Sequence, residues 1–342
     1  MVPSSAADDR YRDGRGPRAG GGRTPSATPV RRGAATAARP GRSGDRPGDR
    51  TRSGIRGPAG RSARTPPAEA VPEVPVRRLL SITIAGFALL LSFALLIGSE
   101  ATSLAFSVVV FGAQVLFVLA WTVASRPAAA RVVAGVGVLT AAAATVAVNL
   151  PVSASLTPLA YVLAGGFAAG VVGQLFRRAG RAGVTESLAV TSMIVVGVTA
   201  FASLIALDRR PVGNQVLLAG VIAAGLALAT ARICDVLMPS PRIAPQVARG
   251  STGVVAGAMV GTAGAAVVGY AVLGLTTLSG ALTGMVTALV AIVIDLGTGY
   301  AEAGRRLEGE APFMWLARHM QGPVGAFAFA APACYVMGVI LG

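Results

Sequence analysis

Lysine is absent from this 342-residue chain, and all thirty of its basic residues are arginine. Two readings stand side by side: the codon usage of a GC-rich genome, or a use for the planar, always-charged guanidinium group. Histidine occurs once, as His319, and cysteine twice, as Cys234 and Cys334, both inside apolar runs. One histidine supplies no zinc-type ligand set, so no metal site is expected, and two such cysteines imply no disulfide framework. Charge is scarce too: 13% of residues are charged and 53% are hydrophobic, with a mean hydropathy of +0.65. Soluble domains carry about a quarter charged residues, so half of the polar cover that a water-facing surface needs is missing.

The charge that is present is unevenly placed. Residues 1–78 hold 17 Arg against 7 Asp or Glu, whereas residues 79–342 hold 13 Arg against 8 acids. Residues 1–77 form a distinct basic arm rich in Arg, Gly, Pro, Ser and Ala, with Tyr11 its only aromatic residue. Such a segment buries too little apolar area to offset chain entropy, so a disordered arm is predicted. No apolar stretch lies within its first thirty residues, which is unlike a signal peptide. Its Arg-Gly and Arg-Ser pairs suit either an anionic partner or a solvated tail that holds the N-terminus in the cytoplasm. Without interleaved aromatics for base stacking, nucleic acid is the poorer partner, and weak attraction to an anionic lipid leaflet accompanies both readings.

From Arg78 onward, apolar runs of about twenty residues recur, the length that crosses roughly 30 Å of hydrocarbon. The spans are predicted near 79–98, 103–124, 132–150, 157–176, 187–207, 215–237, 253–275, 280–301 and 322–341. No alternating polar positions of a barrel appear, and lipid-exposed backbone must satisfy its own hydrogen bonds, so the spans are helices. The expected fold is an all-α integral membrane protein of about nine transmembrane helices, residues 78–342, whose first partner is the lipid bilayer. Nothing in the sequence specifies a protein partner.

With the N-terminus inside, the cytoplasmic loops carry Arg126, Arg131, Arg177, Arg178, Arg181, Arg242, Arg249, Arg305, Arg306 and Arg318. The opposite loops carry Glu100, Asp208, Arg209 and Arg210. Ten arginines against two satisfy the positive-inside rule and predict a plasma-membrane (inner-membrane) protein with its N-terminus in the cytoplasm and its C-terminus outside. Arg209 and Arg210 are the exception. Gly166-x-x-x-Gly170 and Gly257-x-x-x-Gly261 mark positions where helix backbones can approach closely.

Ionisable residues inside a membrane are costly and are candidates for function. Arg232 and Asp235, three apart near the end of the sixth span, share a helix face and suggest a local pair. Asp295 lies well inside the eighth span, and Glu302 follows two turns along the same face, within helical reach of Arg305 or Arg306. Arg242 and Arg249 sit in a loop broken by Pro239, Pro241 and Pro245. The candidates are therefore Asp295, Glu302 and Asp235 for catalysis or cation binding, and Arg242, Arg249, Arg305 and Arg306 for phosphate. The competing reading is a set of structural ion pairs with arginines snorkelling at helix ends. Part of 301–321, with Phe313, Trp315, Arg318 and His319, is expected as an interfacial amphipathic helix anchored by Phe313 and Trp315. His319 suits either acid–base work or an interfacial contact.

The run Pro241-Arg242-Ile243-Ala244-Pro245-Gln246-Val247, then Arg249-Gly250-Ser251-Thr252 and a Gly-rich span, resembles phosphatidate cytidylyltransferases (CDP-diacylglycerol synthases). That family has a basic, Pro-bearing loop ending in a K-K-T-W-E-G-like stretch at the same place. Asp295-Leu296 resembles its G-D-L, Arg305-Arg306 its following basic pair, and Gly322-Pro323-Val324-Gly325 the place of its P-G-H-G-G. The resemblance covers about a third of the chain and would bring Mg2+ as a cofactor; otherwise no cofactor is expected. Thr298 and Gly299 stand where the family has Glu and Ser, residues 326–330 read Ala-Phe-Ala-Phe-Ala where it has D-R-x-D-S, and the Trp-Glu of its loop is missing. Metal-assisted nucleotidyl transfer needs clustered carboxylates, so the resemblance implies an inactive relative. The whole chain also resembles a family of multi-spanning membrane proteins of high-GC Gram-positive bacteria that carries no assigned activity, through its Arg-rich start, its P-R-I-A-P loop and its Tyr300–Arg306 segment.

Three classes of function follow. A structural or interaction role in the cell envelope fits the sparse polar content best. A lipid-nucleotide enzyme, or its inactive relative, fits Asp295 and the arginine loops. A small-solute transporter would favour inverted repeats and helix breaks near the midplane, and neither is seen.

Overall fold

A chain in hydrocarbon has no water to bond its peptide groups, and helices satisfy those groups internally. The computed structural model describes residues 76–151, 154–176, 183–311 and 313–341. Among these residues the elements are α1 (Arg78–Ala101), α2 (Ser103–Ser125), α3 (Ala130–Asn149), α4 (Thr157–Leu175), α5 (Val184–Asp208), α6 (Gly213–Leu237), α7 (Ser251–Ala271), α8 (Thr277–Leu307) and α9 (Trp315–Leu341). All nine are long and apolar enough to cross a membrane; the shortest, α4, reaches about 28 Å at 1.5 Å per residue. The protein is an all-α integral membrane protein. The basic arm up to residue 75 and Arg177, Arg178 and Arg181 lie outside the described residues.

Short turns set helix starts. The Thr102 hydroxyl accepts from the Ala105 N–H at 3.1 Å, and the Thr276 hydroxyl from the Ser279 N–H at 3.1 Å, which caps α2 and α8. Two boundaries differ most from the sequence expectation. α8 continues to Leu307, six residues past the predicted end, and α9 starts at Trp315 rather than 322. The expected interfacial helix is therefore divided between the end of α8, a short link and the first turns of α9. Of its polar residues, Arg318 meets Glu302 while Glu308 and Glu310 stay exposed; of its two expected anchors, Trp315 is exposed, whereas Phe313 is buried beside Ala124 and Ala317.

α6 sits at the centre, against α7, α8, α1 and α9, while α5 gathers α2, α3 and α4, and α9 packs on both groups. The α6–α7 contact is made by glycine. A Cβ on Gly253, Gly257 or Gly261 would lie 2.7, 2.6 and 2.6 Å from the carbonyl oxygens of Ala231, Ala227 and Ala223. The four-residue spacing thus lays α7 directly on the α6 backbone, a contact no larger residue permits. Between α2, α3 and α5, buried Gln114 donates to the Val198 carbonyl at 2.7 Å and accepts from the Thr145 hydroxyl at 2.9 Å.

The bundle has two chemically different ends. At one, the α1–α2 and α5–α6 turns meet: Asn214 donates to Glu100 at 3.3 Å. There Arg209 donates to the carbonyls of Val148 and Pro151 at the C-terminus of α3, where orphan carbonyls and the helix dipole favour a cation. Arg210 lies over the Tyr335 ring at 5.8 Å. Both exceptions to the arginine asymmetry are thus engaged by local structure. Among the described residues, the other end carries the remaining arginines and the candidate site.

Candidate functional site

Arginine and aspartate placed by three separate segments meet at the Arg-rich end. α6 contributes Arg232 and Asp235, α8 contributes Asp295, and the last residue but one before α7 is Arg249. The link from α6 to α7 is folded tightly enough to aim that arginine inward. It turns through a cis Ser240–Pro241 peptide. Arg242 and Gly250 pair in an antiparallel bridge, with the Ile243 N–H donating to the Arg249 carbonyl at 3.1 Å and the Ser251 N–H to the Pro241 carbonyl at 2.9 Å. The Gly250 N–H donates to Asp235 Oδ1 at 2.9 Å.

The four charges then close on one another. Arg232 Nη2 lies 2.5 Å from Asp295 Oδ1, Arg249 Nη1 2.9 Å from Asp295 Oδ2, and Arg249 Nε 3.2 Å from Asp235 Oδ2. Asp295 is 0% exposed, Asp235 1% and Arg249 3%. Two guanidiniums and two carboxylates balance, which is what burial of charge demands. The three nitrogens of Arg249 make no well-aligned hydrogen bond, so its attraction to both carboxylates is Coulombic more than directional. Burial pulls the Arg249 guanidinium below its ordinary value, Arg232 adds to this, and Asp295 and Asp235 oppose it; a guanidinium starting that high stays protonated. Small residues make the room. A Cβ on Gly322 of α9 would stand 2.3 Å from Asp295 Oδ1, and one on Gly253 of α7 would stand 2.9 Å from Asp235 Oδ1.

Beside this network a cavity of about 50 Å³ opens between α1, α6, α8 and α9, lined by Arg232, Thr298, Glu302, Arg318 and Gln321 among others. That is room for a few water molecules. Glu302 faces it and takes two arginines, Arg306 at 2.5 Å and Arg318 at 2.8 Å.

The chain matches no protein-family model and no curated protein.

Asp295 and Asp235 come together through Arg249, while Glu302 stands apart at the mouth of the small cavity with its own pair of arginines. Arg249 is enclosed between carboxylates rather than presented to a phosphate. Arg242 is half-buried in the linking loop. Arg305 pairs with Glu310 at 3.0 Å and lies over the Phe313 ring at 5.1 Å; Arg306 belongs to Glu302. His319 Nδ1 is 2.7 Å from the Trp315 carbonyl, and its ring packs tilted against Trp315, at an interplanar angle of 43° with centroids 4.5 Å apart. Among the described residues no three His, Cys, Asp or Glu side chains gather as a metal-ligand set.

The expected local pair of Arg232 with Asp235 is replaced as the closest contact by Arg232 with Asp295, 63 positions away. Arg318, Gln321, Gly253 and Gly322 were not among the residues singled out for the site. Their signal was indirect: two polar residues preceding an apolar run, and glycines at spacings that a glycine-rich chain offers many times.

Proposed function

We propose that this is a plasma-membrane protein with its N-terminus and Arg-rich end in the cytoplasm, serving a structural or interaction role in the cell envelope. The orientation rests on the arginine distribution among its loops. The role rests on one observation: both buried aspartates are neutralised by buried or near-buried arginines drawn from α6, α8 and the residue before α7. A carboxylate so engaged is a fastener between helices and is not free to hold a cation against a phosphate. The network holds the end of α6 to α8 and to the start of α7, at the place where the cytoplasmic loops emerge.

The test is CTP-dependent conversion of phosphatidate by the purified full chain in detergent with Mg2+. No turnover, together with a large loss of thermal stability in Asp295→Ala, is the outcome expected. Turnover that Asp295→Asn abolishes while the melting temperature stays unchanged would replace this reading with a lipid-nucleotide enzyme.

A further inference from the structure

The N-terminal turns of α1 and α9 lie side by side at the Arg-rich end and leave a groove of about 640 Å³ between them. Its lining divides in two. Arg77, Arg78, Arg318 and His319 form the polar part, and Leu79, Leu80, Thr83 and Trp315 the apolar part. Neither α1 nor α9 has an acidic residue in its first turn, and no acidic side chain lines the groove. Arg77 and Arg78 are exposed and have no carboxylate partner among the described residues. Arg318 shares the single carboxylate of Glu302 with Arg306, so that cluster also keeps a surplus positive charge. Trp315 is 72% exposed and Leu79 81% exposed, although both are large and apolar. The ring of Trp315 is braced against His319.

These features belong together in a membrane. Exposed tryptophan and arginine at a helix start sit at headgroup depth, with the apolar side chains of the following turn at the top of the acyl layer. Basic pockets between transmembrane helices on the cytoplasmic side recognise anionic headgroups. We propose that the α1–α9 groove is a binding site for an anionic phospholipid, its phosphate held by Arg77, Arg78 and Arg318 and its proximal acyl carbons lying along Leu79, Leu80 and Trp315. A soluble anion would leave the apolar half of the groove unfilled, and a zwitterionic lipid would leave its arginines unmatched.

Trp315 reports on the site directly, because Trp121, the other tryptophan, is buried in the core. The full chain is reconstituted into phosphatidylcholine nanodiscs, and quenching of Trp315 is measured as brominated phosphatidylglycerol or brominated phosphatidylcholine is added. Trp315→Phe isolates the contribution of Trp121. The expected result is a preference for the anionic lipid of about tenfold, falling to about twofold or less in Arg77→Gln/Arg78→Gln. That variant removes no internal ion pair, and an unchanged melting temperature would show that it is folded. Equal quenching by the two lipids would overturn the proposal, as would a preference that the double variant retains, since the upstream arm would then be its source. Reversal by millimolar inorganic phosphate at constant ionic strength would also overturn it, by identifying a soluble-anion site.

Discussion

Asp295→Ala removes a fully buried carboxylate that touches Arg232 at 2.5 Å and Arg249 at 2.9 Å. With an effective dielectric near 20, opposite charges about 4 Å apart attract by about 4 kcal/mol. Two such contacts give roughly 8 kcal/mol gross, opposed by a desolvation penalty of several kcal/mol for each ion. The variant forfeits the attraction and keeps the penalty, because Arg249 is only 3% exposed and its short loop holds it inside. Removing one partner of a buried pair in this way costs about 3–5 kcal/mol. For a bundle that melts like a domain of comparable size, that is a fall of roughly 6–20 °C. Thermal unfolding of the purified protein in detergent, followed by intrinsic fluorescence and by the surviving monodisperse fraction, measures it. Arg249→Met placed in the same chain removes the stranded charge and leaves Arg232 and Asp235, three residues apart on α6, to pair. The double variant is expected to regain more than half of the loss, a coupling of about 2 kcal/mol or more. If Asp295→Ala melts within about 2 °C of the parent, or the double variant simply adds the two single losses, the network does not hold these helices together.

Two glycines predict opposite outcomes. Gly257→Ala would put a Cβ 2.6 Å from the Ala227 carbonyl oxygen and should destabilise the α6–α7 contact by about 1–3 kcal/mol, whereas Gly297, with nothing within 4 Å of its Cβ position, should accept alanine with no loss or a gain of up to about 1 kcal/mol. Detergent melting curves of the two variants test this. The proposed orientation puts the C-terminus outside, so a C-terminal alkaline phosphatase fusion should be active and a C-terminal green fluorescent protein fusion dark; the reverse would invert the proposed orientation. Glu302→Gln should cost less than Asp295→Ala, about 1 kcal/mol, because Glu302 is 16% exposed and Arg306 and Arg318 can turn toward water; an equal loss would place Glu302 in the same buried lock.

The spans were legible because crossing a membrane demands an uninterrupted apolar length, and that length can be read without knowing any neighbour. The boundary at α9 was not. Arg318, His319 and Gln321 read as part of an interfacial segment between spans, and only the bundle reveals that Arg318 meets Glu302 and that Gln321 lines a small internal cavity. Candidate residues were legible for a similar reason: a charge inside an apolar run stands out whatever surrounds it, so Asp295, Asp235 and Glu302 could be named from position alone. Their partners could not. Helical spacing offers Arg232 only Asp235, and it was packing that brought Asp295 to within 2.5 Å.

By itself the sequence determined the all-helical membrane class and where apolar runs long enough to cross a bilayer lie, because both follow from local composition against the fixed thickness of a bilayer. Tertiary structure decided which charges neutralise which. It swung Arg249 inward from a loop, put Gly322 where a side chain would strike Asp295, and engaged Arg209 and Arg210 in local contacts at the opposite end. Burial of charge is balanced across helices, and that balance is a property of neighbours in space rather than of neighbours along the chain.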